Sequence, residues 1–300
     1  MIKFAFSNKY IYSLPDGHRF PIEKYELVKE QLIYEGTISE DQIYDPGLVD
    51  EQRILDVHTY EYWYSLRDLT IAIRAAKKIG LPINEMSVNR ARNSVAGTAS
   101  SSLLAKEYGI AINLSGGTHH AYSGHGEGFC LLNDLAIAAK NLLNNGLAKQ
   151  ILIIDLDVHQ GNGTAKIFEG DNRVFTFSMH GRANYPMHKE MSDLDIALPT
   201  GIDDEGYLIV LSKNLKELMI NVNPDFIFFQ AGVDVMAGDR LGKMNLTKEG
   251  VKRRDQLVIE LCRSYNVPLV ITMGGGYSEK LKDLVEAHCN TFRMAAKYYS

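Results

Sequence analysis

Short runs rich in Ile, Val and Phe punctuate the chain at Lys3–Phe6, Ile110–Leu114, Gln150–Asp155, Arg173–Phe177, Asp225–Phe229 and Pro268–Thr272. Continuous apolar runs of this length read as strands buried on both faces. Between them lie amphipathic stretches of helical period at Ser87–Tyr108, Leu132–Asn144, Glu205–Asn221, Lys248–Tyr265 and Glu279–Met294. Alternating strands and helices build βαβ units, whose strands run parallel. The pattern predicts a single three-layer α/β domain over residues 1–300, with a mostly parallel central sheet flanked by helices. At 300 residues, a folded chain buries roughly 75% of its unfolded surface, enough for a large core. No repeat, low-complexity tract or Pro/Gly/Ser-rich linker divides it.

The unusual polar residues sit just after the apolar runs. INL leads into Ser115–His120, ILIIDLD into Val158–Gly163, IFFQ into Ala231–Asp234 and VITM into Gly274–Tyr277. In open α/β sheets, ligands bind beyond the carboxyl ends of the strands. These segments are therefore expected to converge on one edge of the sheet.

In IDLDVHQGNG, Asp155, Asp157 and His159 alternate. An extended backbone would put all three on one face. Buried carboxylates repel, and a divalent cation removes that problem. An Asp and a His two apart can share one zinc, and Asp234 in QAGVDVMAGD can complete an Asp2His set with a position left open. The alternative for Asp234 alone is a turn or N-cap. With the metal held elsewhere, the adjacent His119 and His120 are free for acid–base work near neutral pH. Asp155 is read as backing an imidazole, which would fix its tautomer and raise its basicity. Tyr277, after three glycines, can donate a hydrogen bond to a developing oxyanion. A phosphate loop there lacks its pattern, with no GxGxxG and no following Lys.

Composition narrows the classes. A net charge of -5 argues against a nucleic-acid partner. No apolar run spans a membrane, and MIKFAFSNKY has no secretory h-region, so a cytoplasmic protein is expected. Cys130, Cys262 and Cys289 form no CxxC pair, so neither a thiolate metal site nor a disulfide framework is expected. Nothing in the sequence specifies an oligomeric state.

Taken together, GHRFPIEKY (17–25), GGTHHAYSGHGEGFCLLNDLAIAA (116–139), DLDVHQGNGT (155–164), QAGVDVMAGDRLG (230–242) and GGGYS (274–278) resemble the zinc-dependent histone deacetylase superfamily and its arginase/deacetylase fold. The GHRFP start and the GGTHH loop look most like the class IV branch and its bacterial relatives. The resemblance implies zinc ligands Asp157, His159 and Asp234, with iron(II) as the alternative ion. It implies His120 as the general base that later acts as acid, His119 as the second histidine backed by Asp155, and Tyr277 as the transition-state phenol. Gly128, Phe129, Tyr185 and Gly275 match the acyl-lysine channel. Some members place an Asp behind the second imidazole, where this chain has Asn162, a neutral partner. The family's potassium sites map to Asp155, Asp157, His159, Ser178 and Met179, and to Phe168, Asp171 and Val174.

The implied activity is metal-dependent removal of acetyl or longer acyl groups from the ε-amine of lysine in proteins. A close alternative is a small acetylated amine such as a polyamine. Its site would need carboxylates at the mouth, which SEDQIYDPGLVDE (39–51) could supply. A binuclear ureohydrolase needs more metal carboxylates, in DxHxD and DxD form, but here His159 is followed by Gln-Gly and Asp234 by Val-Met. A non-catalytic acyl-lysine binding module would be expected to have lost one of these residues.

Overall fold

The computed structural model describes residues Met1–Tyr299. Its strands are β1 (Lys3–Ala5), β2 (Ile43–Tyr44), β3 (Ile110–Asn113), β4 (Ile151–Asp155), β5 (Val174–Gly181), β6 (Leu194–Leu198), β7 (Phe226–Gln230) and β8 (Leu269–Thr272). They form an eight-stranded sheet in the order β2-β1-β3-β8-β7-β4-β5-β6. Every neighbouring pair is parallel. Helices flank the sheet, as the alternating pattern requires, and the result is a three-layer α/β fold. No helix among the described residues is long and apolar enough to cross a membrane.

The central strands β3, β8, β7 and β4 are buried at every residue. That is why their sequences read as unbroken apolar runs. Two strands escape such a reading. β2 has only two residues, and β6 (LDIAL) alternates between half-buried and exposed positions at the sheet edge. An edge strand with one wet face shows period two instead of a continuous run.

The helical stretches are present with corrected ends. The first runs Glu85–Tyr108, because the Asn84 side chain accepts from Ser87 N while Ser87 Oγ accepts from Asn84 N. This reciprocal cap sets the start. The next runs Asp134–Asn144, capped by Asn133. The others run Asp204–Val222, Lys248–Tyr265 and Leu281–Tyr299. Helices at Lys24–Tyr34, Tyr60–Arg67, Ile73–Ile79 and Asn162–Phe168 were not legible as periodic stretches.

One buried ion pair ties the sheet to its helices. Arg254 and Asp255 are fully buried and lie 2.7 Å apart. Arg254 also donates to the carbonyls of Leu156 (3.1 Å) and Gly232 (2.6 Å), just past β4 and β7. Thr291, on the last helix, donates to Asp255 at 2.6 Å. Arg254→Met should leave Asp255 as an uncompensated buried charge and cost about 3–5 kcal/mol in denaturant unfolding. A loss under about 1 kcal/mol would show that the pair does not secure these turns.

Candidate active site

The carboxyl ends of β3, β8, β7 and β4 open on one edge, and the turns that follow meet there. Asp157, His159 and Asp234 are buried, each with a ligand atom within 4.8 Å of the others. His159 Nδ1 lies 2.9 Å from Asp157 Oδ1 and 3.1 Å from Asp234 Oδ2. Asp234 Oδ2 has no well-formed hydrogen bond although it is buried. Unpartnered buried carboxylate oxygen is costly and calls for a cation. Gly275 closes the group: its N–H donates to Asp157 Oδ2 at 2.8 Å, and a Cβ there would come within 2.6 Å of the same oxygen. Only glycine leaves that space open.

The electrostatics agree. Burial and the Asp157 charge push Asp234 up to about 7. Burial opposes charge on His159, yet the two carboxylates raise it to about 10. Both shifts mark a place where positive charge is stabilised. Two oxygen donors and one imidazole, with no thiolate, suit zinc or iron(II) and leave a coordination position open.

The route to this cluster differs from the expectation. β4 ends at Asp155, and the chain bends through Asp157–His159. The three residues therefore do not share one extended face. The bend turns Asp157 and His159 into the cluster, while Asp155 turns away and lies 2.6 Å from His119 Nδ1.

The His119 and His120 rings lie with centroids 4.1 Å apart and planes tilted by 48°, but their environments separate them. Burial opposes charge on His119, and Asp155 with Asp157 outweighs it, so its pKa is raised. Burial, reinforced by the charges of His119 and His159, pushes His120 well down. Asn162 stands behind His120, 2.6 Å from its Nδ1, and not behind His119. The neutral partner thus belongs to the neutral imidazole. Opposed shifts in adjacent groups are how acid and base roles are divided.

A cavity of about 310 Å³ leads in from solvent. His120, His159, Gly128, Phe129, Tyr185 and Tyr277 line it. Phe129 holds a left-handed backbone (φ 68°), a strained choice for an aromatic residue. Its N–H bonds to Ile79 O at 2.7 Å, which helps to hold it there. Gly128 also has positive φ, and a Cβ on it would strike the His120 ring. The Tyr277 hydroxyl has no hydrogen-bond partner among the described residues, and Asp239 accepts from its backbone N–H at 2.6 Å.

Several residues that shape the site were not singled out in the sequence. Asp134 accepts from Gly117 N (3.1 Å), Thr118 N (2.7 Å) and Thr118 Oγ1 (2.6 Å), and so folds the histidine loop. Gln230 Nε2 donates to Asp157 at 3.0 Å. Lys24 is fully buried and donates to Gly274 O at 3.0 Å; burial lowers it to about 8. Glu127 packs behind Asn162. The three cysteines are buried and free. Asp155 pairs in register with Ser178, next to Met179. At the other implied potassium position, Lys140 (2.7 Å) and Arg173 (2.8 Å) already neutralise the Asp171 carboxylate, and the Phe168 and Asp171 carbonyls accept from Asp171 N and Val174 N.

Residues 18–292 match the family described as Histone deacetylase domain. An uncharacterized protein of Picosynechococcus sp. is 45% identical over 97% of both chains. Histone deacetylase 2 of Arabidopsis thaliana is 30% identical, over 87% of this chain and 70% of its own length. Probable histone deacetylase 19 of Zea mays is 30% identical over 89% of this chain, which spans 55% of that protein. The crystal structure of an HDAC homolog complexed with SAHA shares the fold, with a TM-score of 0.85 and 23% identity over 99% of this chain and 84% of that one.

The protons held by the cluster make metal loading pH-dependent. A divalent ion must displace the proton of His159, which is held to about 10, and that of Asp234, held to about 7. Affinity should therefore climb from pH 6 to pH 9, and loading should release protons. Calorimetry in buffers of different ionisation enthalpy measures both. Metal affinity independent of pH would place the ion elsewhere. Asp234→Ala should abolish loading.

Proposed function

The chain belongs to the histone deacetylase family, and from that premise we propose that it is a zinc-dependent hydrolase of acyl-lysine side chains in proteins or peptides. The observation that carries this reading is the Asp2His cluster at the end of a cavity walled by both a neutral imidazole and an unpartnered phenol. Asp157, His159 and Asp234 hold the ion, zinc or alternatively iron(II). When bound, the ion supplies Lewis acidity at the acyl carbonyl and acidifies water.

The side chains supply the rest. Gly128, Phe129, Tyr185 and Gly275 shape the channel for the aliphatic stem. His120, held neutral, takes a proton from the attacking water and returns it to the leaving amine. His119, whose affinity for a proton Asp155 raises, supplies positive charge beside the developing oxyanion when protonated. The Tyr277 hydroxyl donates to that oxygen. A potassium ion near Asp155 and Ser178, and a second near Phe168, Asp171 and Val174, remain part of the proposal.

The polyamine alternative meets an unsuitable mouth. Arg19, Lys77, Lys78 and Lys243 line the cavity, and no carboxylate does. The acidic segment 39–51 lies elsewhere: Glu40 and Asp45 border a groove with Phe6 and Lys29, and Glu51 bonds Trp63, Tyr64 and Arg67. Like charges at a mouth repel a polycation. A binuclear ureohydrolase has no second cluster, because among the described residues Asp157, His159 and Asp234 are the only such group.

An acetyl-lysine peptide should be hydrolysed much faster than acetylated spermidine at low ionic strength; the reverse order would overturn the substrate assignment. His120→Ala should lower kcat by about 10²-fold or more with metal content unchanged. Tyr277→Phe should cost about 10²–10³ in kcat with little change in KM. A Tyr277→Phe enzyme with raised KM and normal kcat would make the residue a substrate wall instead of an oxyanion donor.

A further inference from the structure

Asn162 offers His120 no charge, but it does not stand alone. Its Nδ2 lies 2.6 Å from Glu127 Oε1 and 2.9 Å from the Tyr122 hydroxyl. Glu127 is buried behind the cavity-lining Tyr185 and Lys78, with 4% of its side chain exposed. Tyr185 donates to the same Oε1 at 2.5 Å, and Lys78 with His125 faces Oε2. Burial pushes the Glu127 carboxyl up, but the bonds from Lys78, Tyr185 and Asn162 outweigh it and hold it below its usual range. Glu127 is therefore ionised and can only accept.

The consequences run in order. An ionised carboxylate must face the NH2 of Asn162. The Asn162 carbonyl oxygen then faces His120 and can only accept. His120 must therefore carry its hydrogen on Nδ1, which leaves the Nε2 lone pair as its free basic site. Without an acceptor behind it, Asn162 could turn over and present NH2 to His120, which would put the hydrogen on Nε2.

We propose that Glu127 is the positioning residue of the acid–base centre. Acting through the Asn162 amide, it locks the His120 tautomer and directs a buried negative charge at the imidazolium that forms during turnover. No proton travels along this chain: an amide neither takes nor passes one here, and the transferred proton stays on His120 until the amine receives it. The same oxygen orients Tyr185, so one carboxylate aligns base and channel wall. This rests on the reading of His120 as base.

The test is an exchange of charge between two positions. Glu127→Gln is nearly isosteric, but its amide can face either way and the lock is lost. It should lower kcat about 10-fold, as loss of an orienting partner does, with KM little changed. Asn162→Asp alone sets two carboxylates against each other and should also be impaired. The double variant carries a single carboxylate, now against His120 Nδ1, and should recover most of the wild-type kcat. Losses that simply multiply in the double variant would overturn the proposal and leave Glu127 a mere tie between Lys78 and Tyr185.

A second readout needs no turnover. Nitrogen-15 NMR of labelled histidine should show His120 as the Nδ1–H tautomer in wild type and in the double variant, and as a mixture in Glu127→Gln. An unchanged tautomer in Glu127→Gln would also overturn the proposal. If the wild-type protein hydrolyses no acyl-lysine peptide, the functional reading fails, while the NMR comparison still decides the lock.

Discussion

Three buried carboxylates, Asp155, Asp157 and Asp234, crowd the ends of the neighbouring strands β4 and β7. Removing several negative charges from water at one place costs several kcal/mol per ion unless they are paired. Each is offset differently. Asp155 has His119. Asp157 receives Gln230, the Gly275 N–H and His159. Asp234 receives the Val158 N–H at 2.8 Å and is otherwise left facing His159. The deficit is therefore localised, and the shell around it exists to keep it so. Arg254 anchors the carbonyls beneath, the glycines let backbone approach, and Asp239 anchors the turn that closes the top.

The same logic separates the two histidines. Identical side chains at adjacent positions would titrate alike in water. Here one is given a carboxylate and the other an amide, so in a single loop one ring's affinity for a proton is raised and the other's is lowered. The 4.1 Å between the rings matters because positive charge on the first disfavours positive charge on the second.

Much of this was legible in the residues, and the exceptions have physical causes. The central strands show themselves because both faces are apolar; β6 hides because its outward face is wet. Asp157, His159 and Asp234 are recognisable as donors of the right chemistry at strand ends. The geometric reason first attached to them, a shared extended face, fails because the strand stops at Asp155. Asn162 was recognisable as a neutral partner, but only the packing of its helix shows which ring it meets. Glu127, Asp134 and Arg254 carry no signature at all. Apart from Asp255 beside Arg254 and His125 near Glu127, their partners are backbone groups or residues far away in the chain, and a lone carboxylate or guanidinium in a sequence reads as surface. The acidic stretch at 39–51 had no readable place for the converse reason: charge density along a chain says nothing about which edge of the sheet receives it.

The strand order has a consequence for how the molecule comes into being. β8, the last strand made, lies in the middle of the sheet between β3 and β7. During synthesis the chain emerges from its N-terminus. Until Leu269–Thr272 has left the ribosome, the sheet can exist only as two pieces, β2-β1-β3 and β7-β4-β5-β6, each with an unpaired apolar edge. Such edges invite pairing with other chains. Tyr277 follows β8 by a few residues, so closing the sheet and completing the ring of reactive groups are one event. An interrupted chain is therefore both adhesive and without its phenol, and the demand for shielding at the ribosome arises from topology and not from chemistry.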